Sequence, residues 1–331
     1  METIINKTDS MSTIQSKLNN GGLIKFTKAI YKITKQLVIP KNTTIYLNGA
    51  TLQRKASIQS VFINKVTSKS TGYNADGNIK IMNGIIEGMG GYTYDNLVTF
   101  FHSHDILIQN VTFKDILCHG IEFNSSKTCR VIDCSFLGYN MKDEENSYKE
   151  SIQIDFAGYS GFVLSGTSKT SDCYDGTCCE QIEVANCKFN KSNTRDYPYA
   201  CIGSHSQLAG LPNKHKDIRI RNNEFHCKIN TEIKQACISI TNMSNVSIVN
   251  NIFDCNRVAR IYSKNYSYDL AGKKKTAVDG DGICNNVKIE NNFIYNCKNK
   301  TEAFQQYNKS GKTNHKKIFK DNNVYTVLNN P

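Results

Sequence analysis

The chain has 331 residues and a mean hydropathy of −0.45, with 39% hydrophobic and 21% charged residues. No apolar run approaches the ~18 residues of a membrane-spanning helix, and 17 Tyr with 15 Phe exclude a disordered chain. Lys and Arg total 41 against 29 Asp and Glu, and this formal charge of +12 favours an anionic partner, either an acidic polysaccharide or a nucleic acid.

The chain begins without the basic stretch and apolar segment of a secretory signal, and it holds 13 cysteines. These features predict synthesis in a reducing compartment, with most thiols free and buried. Neither a disulfide framework nor a zinc site is expected, because Cys173, Cys178 and Cys179 lack a second Cys/His pair at zinc-finger spacing. No cofactor is predicted, although the acidic stretches at 143–145 and 279–282 offer oxygen ligands of the type that Ca²⁺ prefers.

The first predicted element is a short amphipathic helix over 14–22, which ends at two glycines. From Ile79 onward an eight-residue pattern recurs, apolar-x-apolar-x-Asn-x-x-apolar, and its period of two predicts strands. Asn suits the fifth position because it tolerates left-handed backbone geometry and its amide can bond to a neighbouring copy. The fifth positions are Asn83, Asn110, Asp133, Asn186, Asn222, Asn250, Asn291 and Asn322.

A constant strand unit with variable insertions predicts an all-β fold, a single right-handed parallel β-helix. Turns stacked ~4.8 Å apart bury a continuous core that one turn could not bury alone. The helix over 14–22 would cap the open end, so we divide the chain into an N-terminal cap at 1–21 and a β-helix domain at 22–331. The long insertions lie at 137–149, 156–179, 190–199, 206–216, 226–235 and 263–283.

These insertions flank one strand family, and we expect them to form the walls of a groove for an extended polymer. Alternation predicts that side chains such as Ile121 and Ile152 point inward and that the opposite parity faces solvent. That outward face collects carboxylates, an imidazole and a guanidinium on successive strands. Its members are Glu122, Asn124, Gln153, Asp155, His205, Arg260 and Tyr262.

Glu122 and Asp155 are the predicted catalytic pair, because diagonal neighbours on adjacent strands lie roughly 7–8 Å apart. Inverting glycoside hydrolysis uses carboxyl groups about 6.5–9.5 Å apart. His205 is the third predicted catalytic residue, placed to tune Asp155 or hold a hydroxyl, and Arg260 would bind an acidic group of the substrate. The other predicted substrate-binding residues are Gln153, Tyr262, Glu150, His119 and Asn124.

The segment at 22–26 and the strand-rich stretch at 37–50 resemble the beginning of the pectate-lyase-like superfamily. The resemblance extends over nearly the whole chain. The superfamily includes pectate lyases, polygalacturonases and the tailspike or tail-fibre depolymerases of bacteriophages. The resemblance therefore implies the β-helix fold without implying one reaction.

The order Glu122, Asp155, His205, Arg260 is similar in outline to polygalacturonases, but the surrounding motifs differ and Tyr262 replaces a Lys. No catalytic role is carried over from that family. The chain resembles phage-type depolymerases more closely, in the local sequence of several segments, and this resemblance implies a glycan-acting protein of a virion or cell surface. The segments that carry this resemblance are 119–121, 149–155, 202–205 and 215–218.

The sequence thus predicts a depolymerase that hydrolyses an anionic bacterial surface polymer, either a capsular or cell-wall polysaccharide or a teichoic acid. A polysaccharide lyase is an alternative, for which Arg260 is the one candidate base. A non-catalytic glycan- or receptor-binding module would use the same groove, and nucleic-acid binding lacks a recognised motif. A phage tail component would be extracellular or in the virion, and a homotrimer is one option for it.

Overall fold

The computed structural model describes residues 2–88, 96–139, 150–159, 161–198, 200–204, 214–227, 236–263, 267–270, 273–276, 283–297, 303–308 and 316–327. Its helix is α1 Met11–Leu18. Its strands in chain order are β1 Glu2–Ile5, β2 Gly22–Phe26, β3 Ile30–Ile33, β4 Leu37–Ile39, β5 Thr43–Tyr46, β6 Thr51–Arg54, β7 Phe62–Asn64, β8 Ile79–Glu87, β9 Val98–Phe101, β10 His104–Ile116, β11 Ile121–Asn124, β12 Lys127–Ile132, β13 Ser135–Tyr139, β14 Glu150–Asp155, β15 Glu180–Ala185, β16 Lys188–Asn190, β17 Ala200–Gly203, β18 His215–Arg221, β19 Glu224–His226, β20 Ile238–Ile240, β21 Met243–Val249, β22 Ile252–Asp254, β23 Ala259–Ser263, β24 Ser267–Leu270, β25 Lys273–Thr276, β26 Asn285–Glu290, β27 Phe293–Cys297, β28 Phe304–Asn308, β29 Lys316–Phe319 and β30 Val324–Val327.

These strands build two parallel sheets and one antiparallel hairpin, β24–β25. The narrow sheet, as we call it, has the order β28-β23-β20-β17-β14-β11-β9-β7-β4. The second sheet consists of two rows of strands on either side of a bend. β8 and β10 belong to both rows, because each continues through the bend, whereas another turn has a separate strand in each row, such as β12 and β13. Three rows of parallel strands stacked turn upon turn form the predicted right-handed parallel β-helix.

The bend between the two rows has the left-handed backbone that the repeat predicted. All eight repeat positions have positive φ, between 52° at Asn110 and 61° at Asn83. Some of their side chains also bond between turns, as expected. Asn110 Nδ2 donates to Asn83 Oδ1 at 2.8 Å, and Asn186 Nδ2 donates to Asp133 Oδ1 at 3.0 Å.

A second, buried ladder of amides lies one residue after these positions, and the sequence analysis missed it. Asn223, Asn251, Asn292 and Asn323 follow one another, and each Nδ2 donates to the next Oδ1 at 2.9–3.0 Å. Asn251 Oδ1 also accepts the backbone N–H of Asn223 at 2.9 Å, and its Nδ2 donates to the Ile220 carbonyl. The ladder therefore satisfies backbone groups that the bend takes out of the sheets. Its signal in the sequence is the Asn-Asn doublet of the last four repeats.

The interior between the three rows is apolar. At the last position of the repeat, aromatic rings stack with centroids 4.7–5.0 Å apart, close to the spacing of strands. This stack consists of Phe113, Phe136, Phe189, Phe225 and Phe253. All thirteen cysteines are buried and none forms a disulfide, in agreement with the sequence-based expectation.

The N-terminal helix begins at Met11, three residues before the predicted start. Its N-cap is Ser10, whose hydroxyl accepts the Thr13 backbone N–H at 3.1 Å, and its Ile14 and Leu18 pack into the core. The preceding strand β1 pairs with β2 in the same sheet. The division at residue 21 stays a prediction. In the described ranges no helix is long and apolar enough to cross a membrane.

Asn251→Gly is expected to lower the free energy of unfolding, by about 1–3 kcal/mol for each buried group that loses its partner. The matched control is Asn250→Gly, because Asn250 is exposed and its φ of +57° suits glycine without strain. Urea unfolding followed by circular dichroism compares both variants with the wild type. Equal midpoints for the two variants would contradict a stabilising role of the buried ladder.

Candidate functional site

Parallel register brings two of the three predicted catalytic residues, Glu122 and Asp155, onto one face. In the pair of β11 and β14, Glu122 lies beside Gln153 and Asn124 lies beside Asp155. Glu122 and Asp155 are therefore diagonal neighbours on the outer face of the narrow sheet, as predicted. The alternating residues, such as Ile121, belong to the interior core.

This outer face is buried, which corrects the expectation that it is open to solvent. Asn124, Gln153 and Asp155 are 0% exposed, and Glu122 is 2% exposed. Residues 156–179 fold back over the face, so that a Cβ on Gly161 would lie 3.1 Å from Asp155 Oδ2. The expectation failed because strand parity assigns a side chain to a face of the sheet and does not say what covers that face.

The covering segment is held by a second apolar cluster. Phe162 and Tyr174 of the segment pack against Ile63 and Phe101 on the outer face of β7 and β9. The rings of Phe101 and Phe162 meet edge to face with centroids 5.4 Å apart. The predicted wall at 156–179 is thus a packed cover over the first turns of the narrow sheet.

Hydrogen bonds from neutral groups position the two carboxylates. Asn96 Nδ2 donates to Glu122 Oε2, and Thr99 Oγ1 donates to the same oxygen at 3.5 Å. Gln153 Nε2 donates to Asp155 Oδ2 at 2.8 Å. Gln153, predicted to bind substrate, therefore orients a carboxylate.

Asn124 is the polar side chain in this cluster whose hydrogen-bonding capacity is unused. It is fully buried, and in the described part of the chain neither Nδ2 nor Oδ1 makes a hydrogen bond. Leaving a buried amide unsatisfied costs about 1–3 kcal/mol, so such groups are rare and indicate where a ligand or a water binds. Its place beside Asp155 makes this part of the face the candidate site.

Glu150 and His119 lie at the start of the strands, where they were predicted. His119 Nδ1 donates to the Glu150 carbonyl at 2.7 Å and lies 4.0 Å from Glu150 Oε2. The Glu150 side chain crosses Gly203, on which a Cβ would lie 2.7 Å from Glu150 Cγ. Because Gly203 pairs with Gln153, this glycine makes room for a third carboxylate near Gln153.

Arg260 and Tyr262 lie further along the same face. Arg260 pairs with Ser239 and is three strands beyond Gln153, which corresponds to about 14 Å. Its Cζ lies 4.1 Å from the centroid of the Tyr262 ring, and the Tyr262 hydroxyl donates to the Ser204 carbonyl at 3.0 Å. The half-buried guanidinium is therefore stacked on a buried aromatic ring and is separate from the carboxylate pair.

His205, the third predicted catalytic residue, lies outside the described residues. The same holds for the two acidic stretches considered for Ca²⁺, 143–145 and 279–282, and for most of the predicted walls at 137–149, 206–216, 226–235 and 263–283. The roles proposed for them stay predictions.

His215 is a buried residue near Asp155 that the sequence analysis did not place in the site. Its Nδ1 accepts the Cys179 backbone N–H at 3.0 Å, so its Nε2 carries the proton. Burial lowers the pKa of His215 to about 4, although the charge of Asp155 opposes this shift. The residue is neutral at pH 7. The segment at 156–179 supplies Cys179 and so determines the environment of His215, which the sequence alone does not predict.

An open pocket of about 490 Å³ adjoins the cover segment. Glu180, in the wall of this pocket, forms ion pairs with Lys216 at 2.8 Å and with Lys127 at 3.2 Å. Burial opposes ionisation of Glu180, but hydrogen bonds from these two lysines lower its pKa. The pocket is lined by Gly72, Tyr73, Thr177, Cys178, Glu180, Lys214, Lys216 and Ser244.

Known structures share this fold at low sequence identity. The chain is similar to the Streptococcus pneumoniae surface protein and adhesin PfbA, with 18% identity and a TM-score of 0.67 over 98% of both chains. It is similar to an alginate lyase from Paenibacillus sp. str. FPU-7, with 12% identity and a TM-score of 0.61 over 98% of this chain and 97% of that one.

A tailspike protein mutant of E. coli bacteriophage HK620, in complex with a pentasaccharide, matches with 14% identity and a TM-score of 0.61 over 97% of this chain and 54% of that one. No protein-family model and no curated protein matches the chain. The resemblance to pectate-lyase-like β-helix proteins is thereby confirmed for the fold.

Unfolding between pH 7 and pH 4 tests the neutral state of His215. The unfolded chain binds a proton near the ordinary pKa of 6.5 and the folded chain near 4, so stability falls as the pH falls through this interval. This group is expected to contribute up to about 3 kcal/mol of the fall. His215→Gln should show a smaller fall than the wild type. Parallel curves for His215→Gln and the wild type would contradict this.

Proposed function

We propose that this chain is a carbohydrate depolymerase that hydrolyses an anionic bacterial surface polymer, a capsular or cell-wall polysaccharide or a teichoic acid. The observation that carries the proposal is the diagonal pair of Glu122 and Asp155, with the unsatisfied amide of Asn124 beside Asp155. The similarity in fold to an alginate lyase and to a tailspike with bound pentasaccharide supports a glycan as the partner.

In inverting hydrolysis, one carboxylic acid protonates the glycosidic oxygen while the other carboxylate takes a proton from the attacking water. Glu122 and Asp155 would divide these two roles. Gln153 holds Asp155 in place, and the amide of Asn124 is available to bind a sugar hydroxyl or the water. A water-poor site strengthens such interactions and keeps the reacting groups oriented. His205 is proposed to tune Asp155 or to hold a sugar hydroxyl, as the sequence predicts.

The substrate's charge is inferred from the distribution of cations. The chain carries a formal charge of +12. Arg260 on the outer face presents a planar guanidinium, the group best suited to bind a carboxylate or phosphate through two hydrogen bonds. At about 14 Å from Gln153, it would bind an acidic group on a sugar away from the cleaved bond.

The burial of Glu122 and Asp155 favours a second candidate, a non-catalytic glycan- or receptor-binding module. Carboxylates under a packed cover can have a structural role, and the surface around Arg260 would then bind glycan without cleaving it. PfbA, which shares the fold, is a surface adhesin. A polysaccharide lyase is a further alternative, in which a base removes a proton beside a uronate. Each of these functions places the protein outside the cell or in a virion.

Incubation with purified anionic polymers separates the three functions. Hydrolysis shortens the polymer and creates new reducing ends, and inversion is recognised by the anomeric configuration of the first product. A lyase produces unsaturated ends that absorb ultraviolet light. Binding without any loss of molecular weight supports the binding module and contradicts the depolymerase.

Asp155→Asn is expected to lower turnover of the polymer by roughly 10²–10⁴-fold, the usual contribution of a general acid or base, and to leave polymer binding nearly unchanged. The control is Glu290→Gln, which removes a carboxylate from β26 of the other sheet and should keep the wild-type rate. Reducing-end assays give the rates. Wild-type turnover by the double variant Asp155→Asn, Glu122→Gln would eliminate the assignment.

Arg260→Gln is expected to weaken binding of the anionic polymer and to make binding less sensitive to salt, because one charge contact is lost. Affinities measured at several salt concentrations show the change. Lys80→Gln, which removes a charge from the exposed face of β8, serves as the control. An unchanged salt dependence in Arg260→Gln would remove this residue from the binding surface.

A further inference from the structure

Three buried thiols converge at one corner of the solenoid. The Sγ atoms of Cys201, Cys227 and Cys237 all lie within 4.8 Å of one another. Cys201 and Cys237 directly precede the paired residues Ile202 and Ile238, so they occupy matching places on consecutive turns. The Cys201 backbone N–H donates to the Cys237 carbonyl at 2.8 Å, which fixes their spacing.

A fourth cysteine lies on the next turn beside this cluster. Cys227 and Cys255 directly follow His226 and Asp254, which pair in β19 and β22, so these cysteines also occupy matching places on consecutive turns. Cys255 therefore lies one turn beyond Cys227, as Cys237 lies one turn beyond Cys201. The thiol corner, as we call these four residues, therefore takes two cysteines from each of two consecutive turns.

The sulfur spacing suits a metal ion. Tetrahedral zinc sites have Zn–S bonds of about 2.3 Å, which places the sulfurs about 3.8 Å apart. Three sulfurs within 4.8 Å of one another reach that arrangement by shifts smaller than a bond length. Thiolates select soft or borderline ions, and structural zinc sites are closed to solvent, as the buried thiol corner is.

We propose that Cys201, Cys227 and Cys237 bind Zn²⁺, with Cys255 as the fourth ligand. Each ligand loses a proton as its sulfur bonds to the ion, so binding releases protons to solvent. The ion would join two consecutive turns across the insertion between Cys227 and Cys237. The sequence analysis expected no zinc site, because these spacings follow the solenoid turn and not a zinc-finger motif.

The test uses the full chain, reduced, freed of metal with a chelator and titrated without oxygen. Zn²⁺ is expected to bind at about one ion per chain by elemental analysis, and Cd²⁺ as a probe should produce a thiolate charge-transfer band. Cys237→Ser and Cys201→Ser should weaken binding by roughly tenfold or more, while Cys187→Ser, a buried cysteine outside the thiol corner, should bind as the wild type does.

A measurement on the wild type keeps the proposal falsifiable if these variants do not fold. In mild urea, Cd²⁺ should slow alkylation of the thiol-corner cysteines at least roughly tenfold and leave Cys187 unaffected, as read by mass spectrometry. No bound metal in the reduced protein, protection confined to other cysteines, or a native disulfide between two thiol-corner residues would overturn the proposal.

Discussion

Parallel hydrogen bonding between consecutive turns, in register and about 4.8 Å apart, is the constraint on which this structure depends. It places each side chain beside its equivalent on the next turn, which is why phenylalanines stack and why the amides from Asn223 to Asn323 form a ladder. A slip of one residue would exchange the buried Asn251 with the exposed Asn250. The same register brings Glu122, Asn124 and Asp155 together on the outside.

The interior and the outer face use this register differently. Inside, repetition is favourable, because identical apolar groups fill a core of constant width. Outside the narrow sheet, the residue changes at each strand along one column, from Glu122 to Gln153 to Gly203 to Ser239. That variation is costly where the face is covered, since it buries carboxylates and an unsatisfied amide, and such a cost is typical of sites that bind or react.

The sequence was sufficient for the fold because one residue type recurs where the backbone must be left-handed, and parity then assigned Glu122 and Asp155 to a single face. It was insufficient for the cover, because the apolar residues of 156–179, such as Phe162, have no period that connects them with Phe101. His215 and the thiol corner were missed for a related reason: their neighbours come from other turns, and the lengths of the insertions between turns decide which residues meet.

The central claim is that the outer face of the narrow sheet binds and cleaves a glycan. A crystal structure with an oligosaccharide of the cleaved polymer, bound to the Asp155→Asn variant, tests it most directly. We predict a sugar within hydrogen-bonding distance of Asn124, with the scissile oxygen between Glu122 and residue 155 and an acidic group on Arg260. Sugar bound only on the other sheet, with Asn124 still covered by 156–179, would contradict it.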